Sequence, residues 1–405
     1  MEFEAVPPQV EDPPKGYIPP DWNPLFAAAG LDSSRFRPVE PTWYPLAWGD
    51  ARAAWEGTWP NRLDIPLRIE AAAFHGKPIY FKNDFALDEA GAYGFLEQFP
   101  AECDCTMVSF GLLLVIFGFG IWMAGENLRA GRGDARGSRR LGLFVFVTGM
   151  VNWVLLAHHV SSAFEILLFV MAASVSLFFG MVTWLLYAAL EPYVRRYWPD
   201  TLISWSRMLS GNFKDPVFAR DVLLGTLFGL ASAVLEQLQP LVEAGLGKPP
   251  MRPWGLLTTY SLEGIRGSLA TILYQASSSF SSALLIFFMF FILRLILRRN
   301  WLAALVMSLL FCIPSLGAQN PVIDALFTAP FFLAYLFILY RFGLVALTVL
   351  YFVDQLADTM PFVTPLNAWY TEGGLIALLV ILALSLYGFQ VSRAGKPLFA
   401  NGLEL

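Results

Sequence analysis

From Met107 to the C-terminus the chain is a series of about nine apolar runs, 299 residues in all, separated by loops that are alternately rich and poor in arginine. In hydrocarbon only a helix or a closed barrel satisfies its own backbone polar groups, so each run reads as a spanning helix. The runs lie at about 107–124, 141–157, 163–190, 222–240, 268–295, 301–317, 322–340, 343–360 and 373–390. Several are short for a hydrocarbon core of ~30 Å, so the pattern admits eight to ten spans. The expected fold is therefore a membrane all-α bundle (107–390) preceded by a small α+β domain (1–106) and followed by a short tail (391–405).

Composition agrees with this reading. Hydrophobic residues make up 56% of the chain, charged residues only 15%, and mean hydropathy is +0.55, outside the range of a soluble domain. Charge divides unevenly. Residues 1–106 hold 17 acids against 8 Lys+Arg, whereas residues 107–405 hold 15 against 19. No long basic run is present, which argues against a nucleic-acid partner; the expected partner is the lipid bilayer.

Lysine and arginine orient the bundle. One set of loops carries sixteen of them: Arg129, Arg132, Arg136, Arg139 and Arg140; Arg195, Arg196, Arg207, Lys214 and Arg220; Arg294, Arg298 and Arg299; Arg341; Arg393 and Lys396. The opposite loops carry Lys248, Arg252 and Arg266. The first set is expected in the cytoplasm, with residues 1–106 outside and the C-terminus inside. No secretory signal peptide is visible, because the first residues are acidic and Pro-rich. Exporting an N-terminal domain of this size then requires either the first span or a span upstream of it.

Within residues 1–106, a short strand and a Pro-rich linker occupy 1–24. Asp21 is placed to cap a helix over Asn23–Ala29 ended by Gly30, and Asp50 to cap a second over Ala51–Trp55. Leu67–Ala73 and Pro78–Phe81 flank His75-Gly76 and predict a hairpin.

Candidate functional residues are few. The loop 191–221 begins a helix at Pro199-Asp200, and Leu202, Ile203, Trp205, Met208 and Leu209 can share one apolar face. This reads as a helix in the membrane interface, anchored by Trp198 and Trp205 and by Arg195, Arg196 and Arg207 against anionic headgroups, and able to carry motion to a cytoplasmic partner. The competing reading is a plain connecting helix. Acids inside or near spans come next: Glu165, Glu236, Asp324, Asp354 and Asp358. Such groups are costly in lipid and mark pathways or pairing, although most sit near span ends; Asp354 is the deepest. His158, His159 and Glu165 could meet at one end, but their spacing fits no zinc signature. Cys103 and Cys105 are too few for a zinc site. Phosphate-binding, dinucleotide, zincin and nucleophile-elbow motifs are missing, so no cofactor is expected.

Seven segments carry a resemblance: AVPPQVED, DWNPLFAAAGLD, GDARAAWEGTWP, PLRIEAAAFHGKP, ALEPYVRRYWPDTLISWSRMLSG, KDPVFARDVLLG and YGFQVSRAGKPLF. In combination they resemble the C-terminal half of large bacterial membrane-bound serine/threonine protein kinases. The family layout is a cytoplasmic kinase domain, one span, an extracytoplasmic domain and a multi-span region. The resemblance implies a bacterial inner-membrane location, an upstream span that exports residues 1–106, and a kinase domain as cytoplasmic partner. It implies no catalytic residue here, because the Gly-rich loop, strand Lys, H-R-D and D-F-G elements of kinase chemistry do not occur in the chain. The expected function is a non-catalytic sensor and anchor module. A small-solute permease is the alternative, which predicts paired inner acids and broken helices, with Pro314 and Pro330 as possible breaks. An intramembrane protease is weaker: Glu191 and Arg195 have an E-x-x-x-R spacing, but no histidine follows His159.

Overall fold

The computed structural model describes residues 2–4, 19–42, 49–59, 62–85, 104–157, 159, 164–246, 260–262, 264–313, 315, 320–360, 362 and 371–393. His158, Cys103, Pro314, Lys248, Arg252, the Pro-rich linker and the tail beyond Arg393 lie outside them. The chain divides into two compact units, Met1–Cys103 and Asp104–Leu405, three residues before the boundary that hydropathy suggests.

The first unit is one five-stranded antiparallel sheet, ordered β1-β5-β4-β3-β2. The strands are β1 (Glu2–Glu4), β2 (Arg37–Val39), β3 (Ala51–Trp59), β4 (Arg62–Phe74) and β5 (Lys77–Phe85). The predicted hairpin is β4–β5. His75 (φ 50°) and Gly76 (φ 75°) both adopt the left-handed conformation that a two-residue turn between twisted strands demands. Helix α1 (Asn23–Ala28) follows Asp21, whose Oδ1 accepts the Asn23 N–H at 3.0 Å, and ends at Gly30 with φ 69°. Alternate residues of β4 (Leu67, Ile69 and Ala71) pack with Phe81 against Phe26, Leu31 and Phe36.

The second predicted helix, Ala51–Trp55, is instead the start of β3. Its alanines are good helix formers, but pairing along β4 (Ala54↔Glu70, Trp55↔Ile69) and the edge-on packing of Trp55 against Phe26 (5.1 Å) outweigh that local preference. Asp50 still accepts a backbone N–H, that of His75 in the hairpin turn (2.9 Å).

The second unit is helical: α2 (Asp104–Arg129), α3 (Ala135–Leu156), α4 (Phe164–Tyr197), the short α5 (Ile203–Leu209), α6 (Pro216–Gly245), α7 (Gly264–Leu297), α8 (Asn300–Phe311), α9 (Pro321–Phe342), α10 (Leu344–Thr359) and α11 (Thr371–Ser392). Each of the nine apolar runs coincides with a helix. Among the described residues, α3, α4, α6, α7, α9 and α11 are long and apolar enough to cross a membrane. Helix α8, with 12 residues, rises only ~18 Å, and Cys312 and Ile313 after it form a turn. The surfaces suit lipid: α4 alone leaves Ile166, Leu167, Phe169, Val170, Met171 and Val175 exposed.

Close approach of backbones holds the bundle. Gly225 and Gly229 of α6 face α10 so tightly that a Cβ at Gly229 would stand 2.7 Å from the Leu350 carbonyl oxygen and 2.8 Å from Val353 Cβ. This is the small-xxx-small packing common between membrane helices. The Arg-rich connections gather at one end. There Asp134 meets Glu191, Arg140 meets Leu209, and Gly343 abuts Thr201. At the other end Arg266 donates to the carbonyls of Leu155 and Ala157, His159 meets Glu165, and Gln239 meets Asp324.

Candidate functional site

The Arg-rich end is built around Pro192, inside the continuous helix α4. Pro192 lacks an N–H, so the carbonyl of Ala188, four residues earlier, loses its helical donor. Buried Asn127 of α2 supplies the replacement, donating from Nδ2 to Ala188 O (3.1 Å) and Ala189 O (3.0 Å). Next to it Glu191 is buried with both oxygens engaged. Oε1 pairs with Arg195 (2.5 Å), and Oε2 accepts the Asp134 N–H (3.1 Å), while Asp134 caps α3 through Gly137 N–H (2.9 Å). The E-x-x-x-R spacing is thus an i,i+4 ion pair that ties α4 to the α2–α3 connection.

From Trp198 to Asp215 the chain passes beneath the bundle and is fixed at every turn. Trp205 is fully buried, with its ring 5.7 Å from Phe280 and 6.1 Å from Tyr187. It does not anchor the loop in the membrane interface as expected. The apolar face of α5 packs into the helical core instead, because α4, α6 and α7 offer it aromatic neighbours. Trp198 stacks on Phe287 and Phe290. Ser204 donates to Asp221 Oδ2, and Arg220 donates to Asp221 Oδ1 through Nε (3.0 Å) and Nη2 (2.8 Å). Arg207 pairs with Asp215, which caps α6 through Val217 and Phe218 N–H (2.9 and 3.1 Å). Burial opposes ionisation of Asp215, but the Arg207 guanidinium and the two helix N–H groups together hold its carboxyl below the usual range. Arg140 donates to Leu209 O (2.7 Å), and Tyr387 of α11 to Phe213 O. Arg196 projects outward, its guanidinium 5.6 Å from the Tyr197 ring.

The acids fall into three groups. Glu165 pairs with His159 (2.5 Å) at the opposite end. This hydrogen bond, with a further one to the Val154 carbonyl, raises the imidazole above its ordinary value of 6.5. Among the described residues no three His, Cys, Asp or Glu side chains gather as a metal site would need. Asp324, in the first turn of α9, accepts from Gln239 Nε2 (3.0 Å), which also donates to buried Glu243 (3.3 Å).

Glu236 of α6 and Asp354 and Asp358 of α10 lie near enough for their charges to interact, without closing up as a three-carboxylate metal site. Asp354 is fully buried, and its Oδ2 accepts from the Tyr335 hydroxyl (2.8 Å) and from Gln355 Nε2 (3.4 Å). Ser232 lies beside the carboxyl. Asp354 Oδ1 has no partner among the described residues. Glu236 is half-buried and Asp358 exposed. On α6 the polar residues Ser232, Glu236, Gln239 and Glu243 recur at i, i+4, i+7 and i+11, one helical face. That stripe was readable from spacing, whereas its meeting with α9 and α10 was not.

No protein-family model, curated protein or solved structure matches this chain.

Proposed function

We propose that this chain is a non-catalytic sensor and anchor module of a bacterial inner membrane, coupling its helix bundle to a serine/threonine kinase domain in the cytoplasm. The Arg-rich end faces the cytoplasm, residues 1–106 lie outside, and the nine apolar runs cross or enter the bilayer. One observation carries the coupling role. The segment 198–215 is attached to α3 through Arg140, to α4 and α7 through Trp205, to α6 through Asp221, to the α9–α10 junction through Thr201 and to α11 through Tyr387. A shift of any of these helices moves the same cytoplasmic layer, which is what a bundle that reports on its own packing requires. Arg196, and Arg195 on the outer side of its pair with Glu191, stay exposed on that layer, where a partner or headgroups can meet them.

The test is to place a serine/threonine kinase domain and one spanning helix upstream of residue 1 and read autophosphorylation in membranes. Asp221→Asn, which loosens the layer, changes the output while insertion persists. A kinase indifferent both to this variant and to deletion of the bundle contradicts the reading.

A second reading, a small-solute permease, is favoured by the meeting of Glu236 with Asp354 beside a proline-interrupted α6. Pro240 removes the helical donor of the Glu236 carbonyl. Solute or proton flux into vesicles that hold the protein would favour it.

A further inference from the structure

We propose that Asp354 is a proton-binding site inside the bundle, entered from the end opposite the arginine-rich loops, with Glu236 and Asp358 as its approach. The inference needs only that the bundle sits in a membrane, and it stands whichever reading of function holds.

The position excludes a solvated carboxylate. Asp354 lies ten residues into α10, ~15 Å from its arginine-rich end, and is fully buried. A bare carboxylate at that depth is costly and needs a cation, a full set of donors or a proton. No cation serves it: among the described residues no lysine or arginine pairs with Asp354, Glu236 or Asp358. Donors serve it unevenly, with Ser232 beside the carboxyl. Tyr335 and Gln355 both reach Oδ2, and Oδ1 is left without a partner.

The elements around it supply no counter-charge. Helix α6 presents Ser232 and Glu236, and α9 presents Tyr335. Helix α7 contributes Ser282 and Tyr274 near Tyr351 of α10, and α11 contributes Ala377 and Ile381. Two neighbouring carboxylates in a water-poor site share a proton rather than both ionise. A divalent metal would ask for about six to eight oxygens. The unengaged oxygen of Asp354, with Glu236 and Ser232 beside it, falls short of that shell, whereas a proton needs one oxygen.

Access is graded along the same faces. Asp358 is one helical turn beyond Asp354 and exposed, and Glu236 is half-buried between α6 and α10. A proton arriving at Asp358 can pass by way of Glu236 to Asp354 Oδ1. Protonated there, the side chain buries no net charge, while Oδ2 keeps the Tyr335 hydroxyl.

Infrared difference spectroscopy of the full chain in lipid vesicles, stepped from mildly acidic to alkaline pH, tests this. The expected result is a protonated-carboxyl C=O band that bleaches as pH rises. It is lost in Asp354→Asn and kept in Asp200→Asn, whose carboxyl is exposed at the other end. Should Asp354→Asn fail to insert, Tyr335→Phe keeps the carboxyl and must move the pH at which the band bleaches. Asp358→Asn must slow the response to a pH jump several-fold; an unchanged rate overturns the entry route. A band absent from the wild type, unaltered in Asp354→Asn or unmoved in Tyr335→Phe overturns the site. Bleaching by sodium or calcium at constant pH replaces the proton with a metal ion and overturns it too.

Discussion

The Ser204–Asp221 contact joins the segment 198–215 to α6, and its removal has a calculable consequence. Asp221→Ala deletes the acceptor of a buried hydroxyl and the partner of the Arg220 guanidinium. The stranded Ser204 hydroxyl costs about 1–3 kcal/mol. Arg220 is 55% exposed and returns to water, so its lost ion pair adds at most ~1 kcal/mol. The single substitution should therefore destabilise the bundle by about 2–3 kcal/mol. Ser204→Ala leaves a buried carboxylate oxygen without its donor and should cost about 1.5–3 kcal/mol, the value of a hydrogen bond to a charged group. The double variant has neither stranded group and loses only the exposed Arg220 pair, so it should cost about 1 kcal/mol. The coupling energy is then about 2.5 kcal/mol or more, where independent sites would add within ~0.5 kcal/mol. Equilibrium unfolding in mixed micelles measures the cycle, and tryptic cleavage at Arg207 reports local opening, which should rise about 30–150-fold in Asp221→Ala. Additive single effects, or cleavage at the wild-type rate, would refute the idea that this contact holds the segment in place.

Other outcomes follow from the same geometry. Gly229→Leu forces side-chain atoms against the Leu350 carbonyl and Val353 and should cost about 1–3 kcal/mol or more, read as a loss of folded protein in detergent. Trp205→Ala empties an aromatic site beneath the bundle and should cost about 3–5 kcal/mol in the same unfolding assay. Asn127→Ala strands the Ala188 carbonyl that Pro192 leaves without a donor and should cost about 1–3 kcal/mol, with Asn127→Gln recovering little because its amide is displaced. The His159–Glu165 contact is pH-dependent. Its imidazole is raised in the folded state, so its stabilisation is complete below the ordinary histidine value and is lost as pH rises through the raised one. The stability difference between wild type and His159→Gln should vanish on the alkaline side, and a difference that grows with pH would contradict the pairing.

The sequence pattern located the apolar helices well, six of them long enough to cross a membrane among the described residues, because a run of apolar residues in lipid has few alternatives to helix. It could not separate a full span from α8, since composition alone does not say where a helix stops. The hairpin at His75-Gly76 was legible through its turn chemistry. Strand β3 was not, because Ala51–Ala54 favours a helix locally and only pairing along β4 decides otherwise. Trp205 illustrates the same limit. An amphipathic segment announces an apolar face, but whether that face meets lipid or the helix core depends on tertiary packing. Glu236 and Asp354 were each visible as acids in apolar runs. Their meeting, with Asp358 and Tyr335, depends on the parallel register that Gly225 and Gly229 impose on α6 and α10, and no local rule predicts it.

The account rests on the bundle crossing the membrane with its arginine-rich connections together on the cytoplasmic side. Substituted-cysteine labelling in intact bacterial cells, with Cys103, Cys105 and Cys312 changed to serine, tests this most directly. Ser210→Cys should react only with a membrane-permeant maleimide, and His159→Cys with an impermeant one. Labelling of both from the same side, or of Ser210→Cys alone from outside, would contradict the account.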